Sequence, residues 1–335
     1  MKSNQPTIRD VAARAGVSPN VVSRACNPES GGYVSEASRA RVLEAIKELG
    51  YHPDSRARYL RNPRTQTIGF YSGYGTLDIE YEFARAIFEG LQSACDEFNQ
   101  DLLIFHSMDN HPISFAADKL TSSKVDGVIC HPREGDFELS SALSKIHKPI
   151  IRIAETFPNI PAVVADDWNG GRRIARHLYD RGHRKVVFRK ETYGITSAQR
   201  RYDGFCDAAA RLGMTVVTTT APSRDDDLTS EEQNLLRNFR VEGITAFACW
   251  RDWSAAKVLI FCRERGIQVP NDVAVVGFDG MTPDFCPIDM RLTTLVIDWQ
   301  QIAEIAVERL FDLIEHREVP SETIHAGSLY IGNTT

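Results

Sequence analysis

The run Thr7-Ile8-Arg9-Asp10-Val11-Ala12-Ala13-Arg14-Ala15-Gly16-Val17-Ser18-Pro19-Asn20-Val21-Val22-Ser23-Arg24-Ala25 contains the start and stop of one helix and the start of another. Thr7 is a capping residue, and Ile8, Val11 and Ala12 follow it at helical spacing. Gly16 stands where a helix end wants a left-handed residue, a conformation glycine takes without strain. Val17 fills the turn. Ser18 caps the second helix, and Pro19 occupies its first position, where a missing N–H costs nothing. Val21, Val22 and Ala25 form its apolar stripe, which leaves Asn20, Ser23, Arg24 and Asn27 facing outward. Two short helices around a tight, glycine-containing turn form the hairpin that places the second helix in the DNA major groove.

A loop from Pro28 to Tyr33 leads to a third helix, capped by Ser35, carrying Val42, Leu43, Ile46 and Leu49 on one face and stopped by Gly50. The charge distribution agrees with a nucleic-acid module. Of 335 residues, 39 are Lys or Arg and 45 Asp or Glu, a net charge of −6. Residues 1–64 hold eleven basic and six acidic groups, net +5, which leaves −11 for residues 65–335. A basic head on an acidic body is a recognised sign of a nucleic-acid-binding part joined to something else.

The run from Thr7 to Ser18, then Val22-Ser23-Arg24, Val34-Ser35, Leu49-Gly50-Tyr51-His52-Pro53-Asp54 and Ala57-Arg58-Tyr59-Leu60, closely resembles the lactose-repressor (LacI/GalR) family of bacterial transcription regulators. The resemblance implies that Pro19, Asn20 and Arg24 read base edges and that Thr7, Ser18, Ser23 and Asn27 hold phosphates. Arg pairs bidentately with guanine and Asn with adenine, while small hydroxyls and amides suit phosphate. Proline has no side-chain donor, so specificity would rest on Asn20 and Arg24. The loop before Val34 is longer than is usual in the family, which gives Tyr33 a different approach to the backbone. Residues 54–61 resemble the family's hinge helix, with Leu60 as the minor-groove wedge and Ala57 beside it. An apolar wedge among Arg56, Arg58 and Arg61 is the composition that kinks DNA from the minor groove.

From Thr67 onward, short apolar runs alternate with amphipathic helical stretches. Ile68–Tyr71, Leu102–Phe105, Gly127–Cys130 and Ile150–Ile153 read as one set of strands. Ala162–Val164, Val186–Phe188, Thr215–Val217, Thr245–Ala248 and Val273–Phe278 read as another. This pattern predicts doubly wound parallel sheets, and the length predicts two lobes with a cleft between them. The fold expected is therefore an all-α helix-turn-helix head over residues 1–53, a hinge helix and linker over 54–65, and an α/β body over 66–335. Asn169-Gly170-Gly171, the segment Ser197 to Phe205, Asp272 to Asp279 and Leu292-Thr293-Thr294 extend the family resemblance across the body. The resemblance implies the fold of periplasmic sugar-binding proteins. It assigns about 66–163 and 297–322 to a DNA-proximal lobe and about 164–294 and 323–335 to a distal lobe.

Ligands of open α/β sheets bind beyond the carboxyl ends of the strands. By resemblance, Arg201 grips an effector and Asp279 ends a cleft strand, while Arg251 and Asp252 stand where the family has Asn-Asp. With Trp250 beside them, these groups suit a sugar, although core packing explains the tryptophans equally well. Ala154 departs from the family's effector-binding aspartate, and Ala165-Asp166 from its Asp-Asn; the usual Asn-Pro-Phe-Phe is replaced near Glu80-Tyr81-Glu82-Phe83. Arg152 and Arg189 also end strands, as anion ligands or as partners in internal salt bridges with Asp166, Asp167 or Asp252, and the residues alone leave both open.

Other functions find little support. Gly73-Tyr74-Gly75 lacks the third glycine of a dinucleotide fingerprint, because position 78 is Asp. Asp225-Asp226-Asp227 lacks the glycine and the final glutamate of a calcium loop, and no G-x-S-x-G elbow offers a nucleophile. Seven cysteines without a C-x-x-C pair indicate neither zinc nor a redox pair. No apolar run reaches the roughly 18 residues of a membrane span, and no secretory signal opens the chain. The expectation is a cytoplasmic, homodimeric regulator with no cofactor or metal, binding a double-stranded operator and a small-molecule effector, most simply a sugar. A soluble sugar-binding protein or enzyme without DNA specificity is the alternative.

Overall fold

Local capping chemistry builds the head. The computed structural model describes residues 6–26, 33–52, 64–73, 82–105, 118, 120–131, 137–145, 147–192, 194–221, 227–281 and 283–335. Residues 1–65 and 66–335 form two separate units. In the first, α1 spans Ile8–Ala15, α2 Pro19–Cys26 and α3 Glu36–Leu49. The Thr7 amide and hydroxyl both donate to Asp10 Oδ2 at 2.7 Å. The Thr7 hydroxyl, and after it the amide, lowers the Asp10 pKa. Gly16 and Gly50 close α1 and α3 at φ +63° and +62°, and Ser35 Oγ accepts from the Ser38 amide.

Val11, Ala12, Ala15, Val22, Ala25, Val42, Ala45 and Tyr51 make the core of the head. One expectation needs correction: Leu43 is 53% exposed, and Ala45 packs inward with Val42. Helical residues advance by about 100° each, so the inward face set by Val42 continues through Ala45, Ile46 and Leu49 and leaves Leu43 to the side. Val21 is half-buried and outside that core.

Among the described residues the body holds two six-stranded sheets. The chain runs through β1 (Thr67–Ser72), α4 (Glu82–Glu97), β2 (Asp101–Phe105), β3 (Gly127–His131), α5 (Phe137–Leu143), β4 (Ile150–Ile153) and β5 (Ala162–Ala165). It then builds α6 (Asp167–Asp180), β6 (Lys185–Lys190), α7 (Thr196–Leu212), β7 (Thr215–Thr220), α8 (Ser230–Arg237) and α9 (Phe239–Glu242). Next come β8 (Ala246–Cys249), α10 (Asp252–Glu264), β9 (Ala274–Asp279), β10 (Thr293–Val296), α11 (Trp299–Ile314), β11 (Glu322–His325) and β12 (Ser328–Tyr330). The first sheet has the order β11-β5-β4-β3-β1-β2, all parallel. The second is β12-β10-β9-β8-β6-β7, parallel except for the β10–β12 pair. Central strands are buried almost throughout, as expected of parallel strands covered by helices on both faces.

The chain passes between sheets after β5, after β10 and after β11. Because β11 pairs with β5, the last passage follows His325 rather than residue 322, where the sequence put the lobe boundary. Helix α11 returns to the first lobe and packs on α4, β3, β4 and β5. In the second lobe α6 lies directly on α7. A Cβ at Gly171 would stand 2.0 Å from the Arg201 carbonyl oxygen, and one at Gly204 2.0 Å from that of Trp168. Only glycines allow this approach, and it brings the first residue of α6, Asp167, beside Arg201 of α7.

Candidate functional site

On the head, Pro19 and Asn20 are exposed in the first turn of α2 and Arg24 in its last turn, while Val22 and Ala25 hold its other side in the core. Ser18 and Thr7 are exposed and Ser23 is half-buried. The Thr7 hydroxyl already donates to Asp10, so it reaches a phosphate only by exchanging that bond. Tyr33 is 93% exposed. Asn27, Ala57, Leu60 and the rest of the expected hinge helix lie outside the described residues, as do the segments around Tyr74, Asp78 and Glu80.

In the body, four of the expected effector residues converge at the carboxyl ends of second-sheet strands. Arg201 is buried, and its guanidinium is engaged on three sides. Nε donates to Asp167 Oδ1 at 2.8 Å and Nη1 to the Trp250 carbonyl at 2.8 Å. Nη2 lies 2.9 Å from Asp279 Oδ1, and the group stacks 3.9 Å over the Phe278 ring. Asp279 Oδ1 makes no contact of this kind beyond its ion pair with Arg201, and Asp167 Oδ2 has no hydrogen-bond partner. Asp252 is buried, with Thr294 Oγ1 donating to Oδ1 and the Met281 amide to Oδ2, each at 2.6 Å. Room for it exists because position 277 is glycine: a Cβ there would stand 2.1 Å from Asp252 Oδ1.

Several carboxylates thus surround one cation. Burial pushes the Asp167 carboxyl up to about 7, against the pull of Arg201, and Glu155 and Asp279 raise it further. Burial, and then Asp279, pushes Asp252 well above the carboxylate range. Burial opposes the charge on Arg201, but Asp279 and Asp167 outweigh it and raise its pKa. Asp279 sits at φ +103°, a region an L-residue rarely occupies, and such strain gathers at functional sites.

Trp250 contributes its carbonyl to this group, and its indole is buried in the core. The half-buried Arg251 lies with its guanidinium 4.5 Å over the Trp250 ring. Arg189, left open by the sequence, is fully buried in an internal ion pair, but with Glu232 rather than with the aspartates weighed for it. Nε donates to Glu232 Oε1 at 2.8 Å, Nη1 to Ser254 Oγ at 2.6 Å and Nη2 to the Asp227 carbonyl at 2.7 Å. Arg152 is buried in β4, with its guanidinium 5.5 Å over the Phe157 ring. Burial, then Arg152, holds His131 down to about 4 and therefore neutral.

Sequence reasoning missed Thr294 and Trp299, and weighed Asp167 only as a salt-bridge partner of Arg152 or Arg189 rather than of Arg201. Trp299 is buried at the start of α11, its ring edge-on to Phe83 with centroids 4.7 Å apart, and its indole N–H has no partner. Phe83 in turn packs on His131 at the end of β3. Asp167 was readable as the residue beginning a helix where the chain changes sheets, a position that aims a side chain at the cleft. Among the described residues no cluster of His, Cys, Asp and Glu has the arrangement of a metal site, and no helix is long and apolar enough to cross a membrane.

Residues 7–54 match the model of the bacterial regulatory proteins of the lacI family, and residues 175–335 match the periplasmic binding protein-like domain. The chain thus joins a lacI-family DNA-binding head to a periplasmic-binding-protein-like body. It is 29% identical to the transcriptional regulator GalR of Escherichia coli K12, over 95% of this chain and 92% of that one. It is 26% identical to the repressor PurR of Mannheimia succiniciproducens, over 95% of each. The same fold is seen in the Lac repressor dimer bound to operator and the anti-inducer ONPF, with a TM-score of 0.81 and 23% identity over 99% of both chains. It is also seen in the regulator CelR in complex with cellobiose, with a TM-score of 0.69 and 24% identity over 98% of this chain and 100% of that one. With this head and these relatives, the protein is a DNA-binding transcriptional regulator and not an enzyme.

Proposed function

We propose that this regulator acts in the cytoplasm as a homodimeric repressor of a pseudo-palindromic operator and answers to a neutral sugar bound between its lobes. Each head reads a half-site with Asn20 and Arg24, and Pro19 packs against base edges. Ser18, Ser23, Thr7 and Asn27 hold phosphates, and Leu60 with Ala57 opens the minor groove. The exposure of Asn20 and Arg24 on a helix whose opposite face is buried supports the reading surface.

The observation that carries the effector reading is the saturation of Arg201. A guanidinium already held by two carboxylates and a carbonyl has little left for an anion, whereas Asp167 Oδ2 remains as an acceptor and Asp279 Oδ1 is met only by its ion pair with Arg201. Acceptors without a ready cation favour a ligand rich in hydroxyl donors and low in charge. Arg251 lies beside this group and Asp252 buttresses it through Thr294, which itself accepts from the Gly280 amide. Lobe closure around the sugar would alter the spacing of the paired hinges and so couple two distinct sites.

Selection of operators from a random DNA pool with the full chain tests the head. Arg24→Ala should cost about 1–3 kcal/mol of affinity and relax the preference at one position, and deletion of residues 1–64 should abolish selection. Equal binding of every sequence would refute the reading. A thermal-shift panel of neutral sugars against sugar phosphates and acids tests the effector. Saturation at about 100 times Kd adds about 2.7 kcal/mol, and a response to the anionic compounds alone would reverse the charge argument.

A further inference from the structure

Helix α7, which carries Arg201, lacks a cap of its own. Its N-cap residue is Ile195, whose side chain makes no cap hydrogen bond, although helix starts favour Ser, Thr, Asp or Asn. The orphan donors are met from the other lobe. Glu155 follows β4 of the first sheet; its Oε2 accepts from the Thr196 amide at 2.9 Å. Its Oε1 accepts from the Ser197 amide at 3.4 Å and the Ser197 hydroxyl at 2.6 Å. A carboxylate on the first two amides of a helix meets both unsatisfied N–H groups and the positive end of the helix dipole.

The backbone that presents Glu155 is itself strained. Ala154 stands at φ +67°, and the Glu155 amide donates to the Ile153 carbonyl two residues back. That is the tight three-residue turn with positive φ, which is rare and costly in proteins. The Ala154 amide, bonded to the Val163 carbonyl, fixes the turn to the first sheet. Asp279, held at φ +103°, does the corresponding thing from within the second lobe, aiming its carboxylate at Arg201. Two strained residues, one per lobe, therefore direct carboxylates onto the first two turns of one helix.

We infer that Glu155 is a positioning residue: a first-lobe carboxylate that caps α7 of the second lobe and ties the separation of the lobes to the first turn of the helix that carries Arg201. The inference rests on Arg201 belonging to the effector site. Opening the cleft removes the cap and frees the first turn of α7, little more than one turn before Arg201, while the Arg201 guanidinium stays held by Asp167, Trp250 and Asp279 of its own lobe. A second inter-lobe link, from Arg200 to Glu322 of β11 at 2.9 and 3.1 Å, lies on the same helix but does not touch its amides. It serves as the control.

The test uses the full chain without effector or DNA, so it stands whether or not a sugar proves to be the ligand. Hydrogen exchange by mass spectrometry and small-angle scattering are compared for the parent, Glu155→Ala, Glu155→Gln, Glu155→Asp, Ser197→Ala and Glu322→Gln. Loss of a cap predicts about two- to thirty-fold faster exchange confined to residues 195–201 in Glu155→Ala, with a larger mean radius. Glu155→Gln, which keeps the reach and an acceptor oxygen, should recover part of both. Glu155→Asp keeps the charge but not the reach and should resemble Ala. Ser197→Ala, which folds independently of any change at 155, should show a smaller acceleration in the same segment. Glu322→Gln should enlarge the radius without speeding exchange there. Unchanged exchange at 195–201 in Glu155→Ala, acceleration spread evenly over the body, or full rescue by Asp would each overturn the inference.

Discussion

Two buried arginines of the second lobe, Arg189 and Arg201, are made from the same kinds of contact and end in opposite conditions. Around Arg189 everything is satisfied. Glu232 Oε1 accepts from Arg189 and from the Thr219 hydroxyl, and its Oε2 accepts from the Thr229 amide as part of the α8 capping box. Around Arg201 the cation is satisfied but its carboxylates are not fully so: Asp167 Oδ2 lacks a hydrogen-bond partner, and Asp279 Oδ1 has only its ion pair with Arg201. Proteins seldom leave buried polar atoms unmet, and an exception asks for an explanation. A network closed on itself is structural. One that leaves an acceptor open at the carboxyl ends of strands is prepared for a ligand.

The largest effect expected from this contrast is on the closed network. Glu232→Ala strands a fully buried guanidinium and removes the α8 capping box, so it should cost about 3–5 kcal/mol, measured by urea denaturation of the body. A cost below 1 kcal/mol would mean that water reaches Arg189, and the contrast would fail. Next is Gly171→Ala, which drives a methyl group into the Arg201 carbonyl. Because the atom it meets is backbone, the cost should lie near the upper end of the usual overpacking range, about 3 kcal/mol. Sugar binding should fall with it while the Arg189 network stays intact.

How much of this was legible in the sequence follows from the range of the interactions. The head was readable nearly throughout, because Thr7, Gly16, Ser35 and Gly50 act on neighbours a few residues away. Its two errors, Leu43 for Ala45 and Val21 in the apolar stripe of α2, came from counting apolar residues rather than following the helical angle. In the body most strands were visible as apolar runs, although Ala162–Val164, grouped with the second set, forms β5 of the first sheet. Strand β10 was not visible, because its buried Thr293-Thr294 is polar, nor were the edge strands β11 and β12, since half-exposed Thr, Ser and Glu carry no such signal. Arg201 and Asp279 were found through family resemblance. The pairing of Asp167 with Arg201 and the role of Glu155 were missed because their partners lie 34 and about 42 residues away and only the fold joins them.

A smaller effect separates the two networks by pH. The folded state holds a proton on Asp167 up to about pH 7, while the unfolded chain loses it near 3.8. Between those values the folded state binds more protons, so this contribution is fully present below 3.8 and is lost as pH rises through about 7. Asp167→Asn is neutral at every pH, so its stability relative to the parent should improve on the order of 2 kcal/mol from pH 5 to pH 8. Asp252 and His131 titrate in both proteins and drop out of the difference. Denaturation at several pH values measures it, and a flat difference would mean that Asp167 stays ionised beside Arg201.

The smallest stability change belongs to the residue with the greatest expected effect on binding. Asp279 pays for its ion pair with backbone strain at φ +103°, which glycine would not feel. Asp279→Gly therefore removes an attraction to Arg201 and relieves a strain worth about 1–3 kcal/mol. The net change in stability should be under about 1 kcal/mol in either direction, with Arg201 still held by Asp167 and the Trp250 carbonyl. The thermal response to a bound sugar should nevertheless disappear, because a carboxylate of the site has gone. If Asp279→Gly destabilises the body as much as Glu232→Ala does, the two arginine networks are alike after all, and the open acceptor is no sign of a site. If it is neutral and the sugar response is lost, the strain at Asp279 is maintained for the ligand and not for the fold.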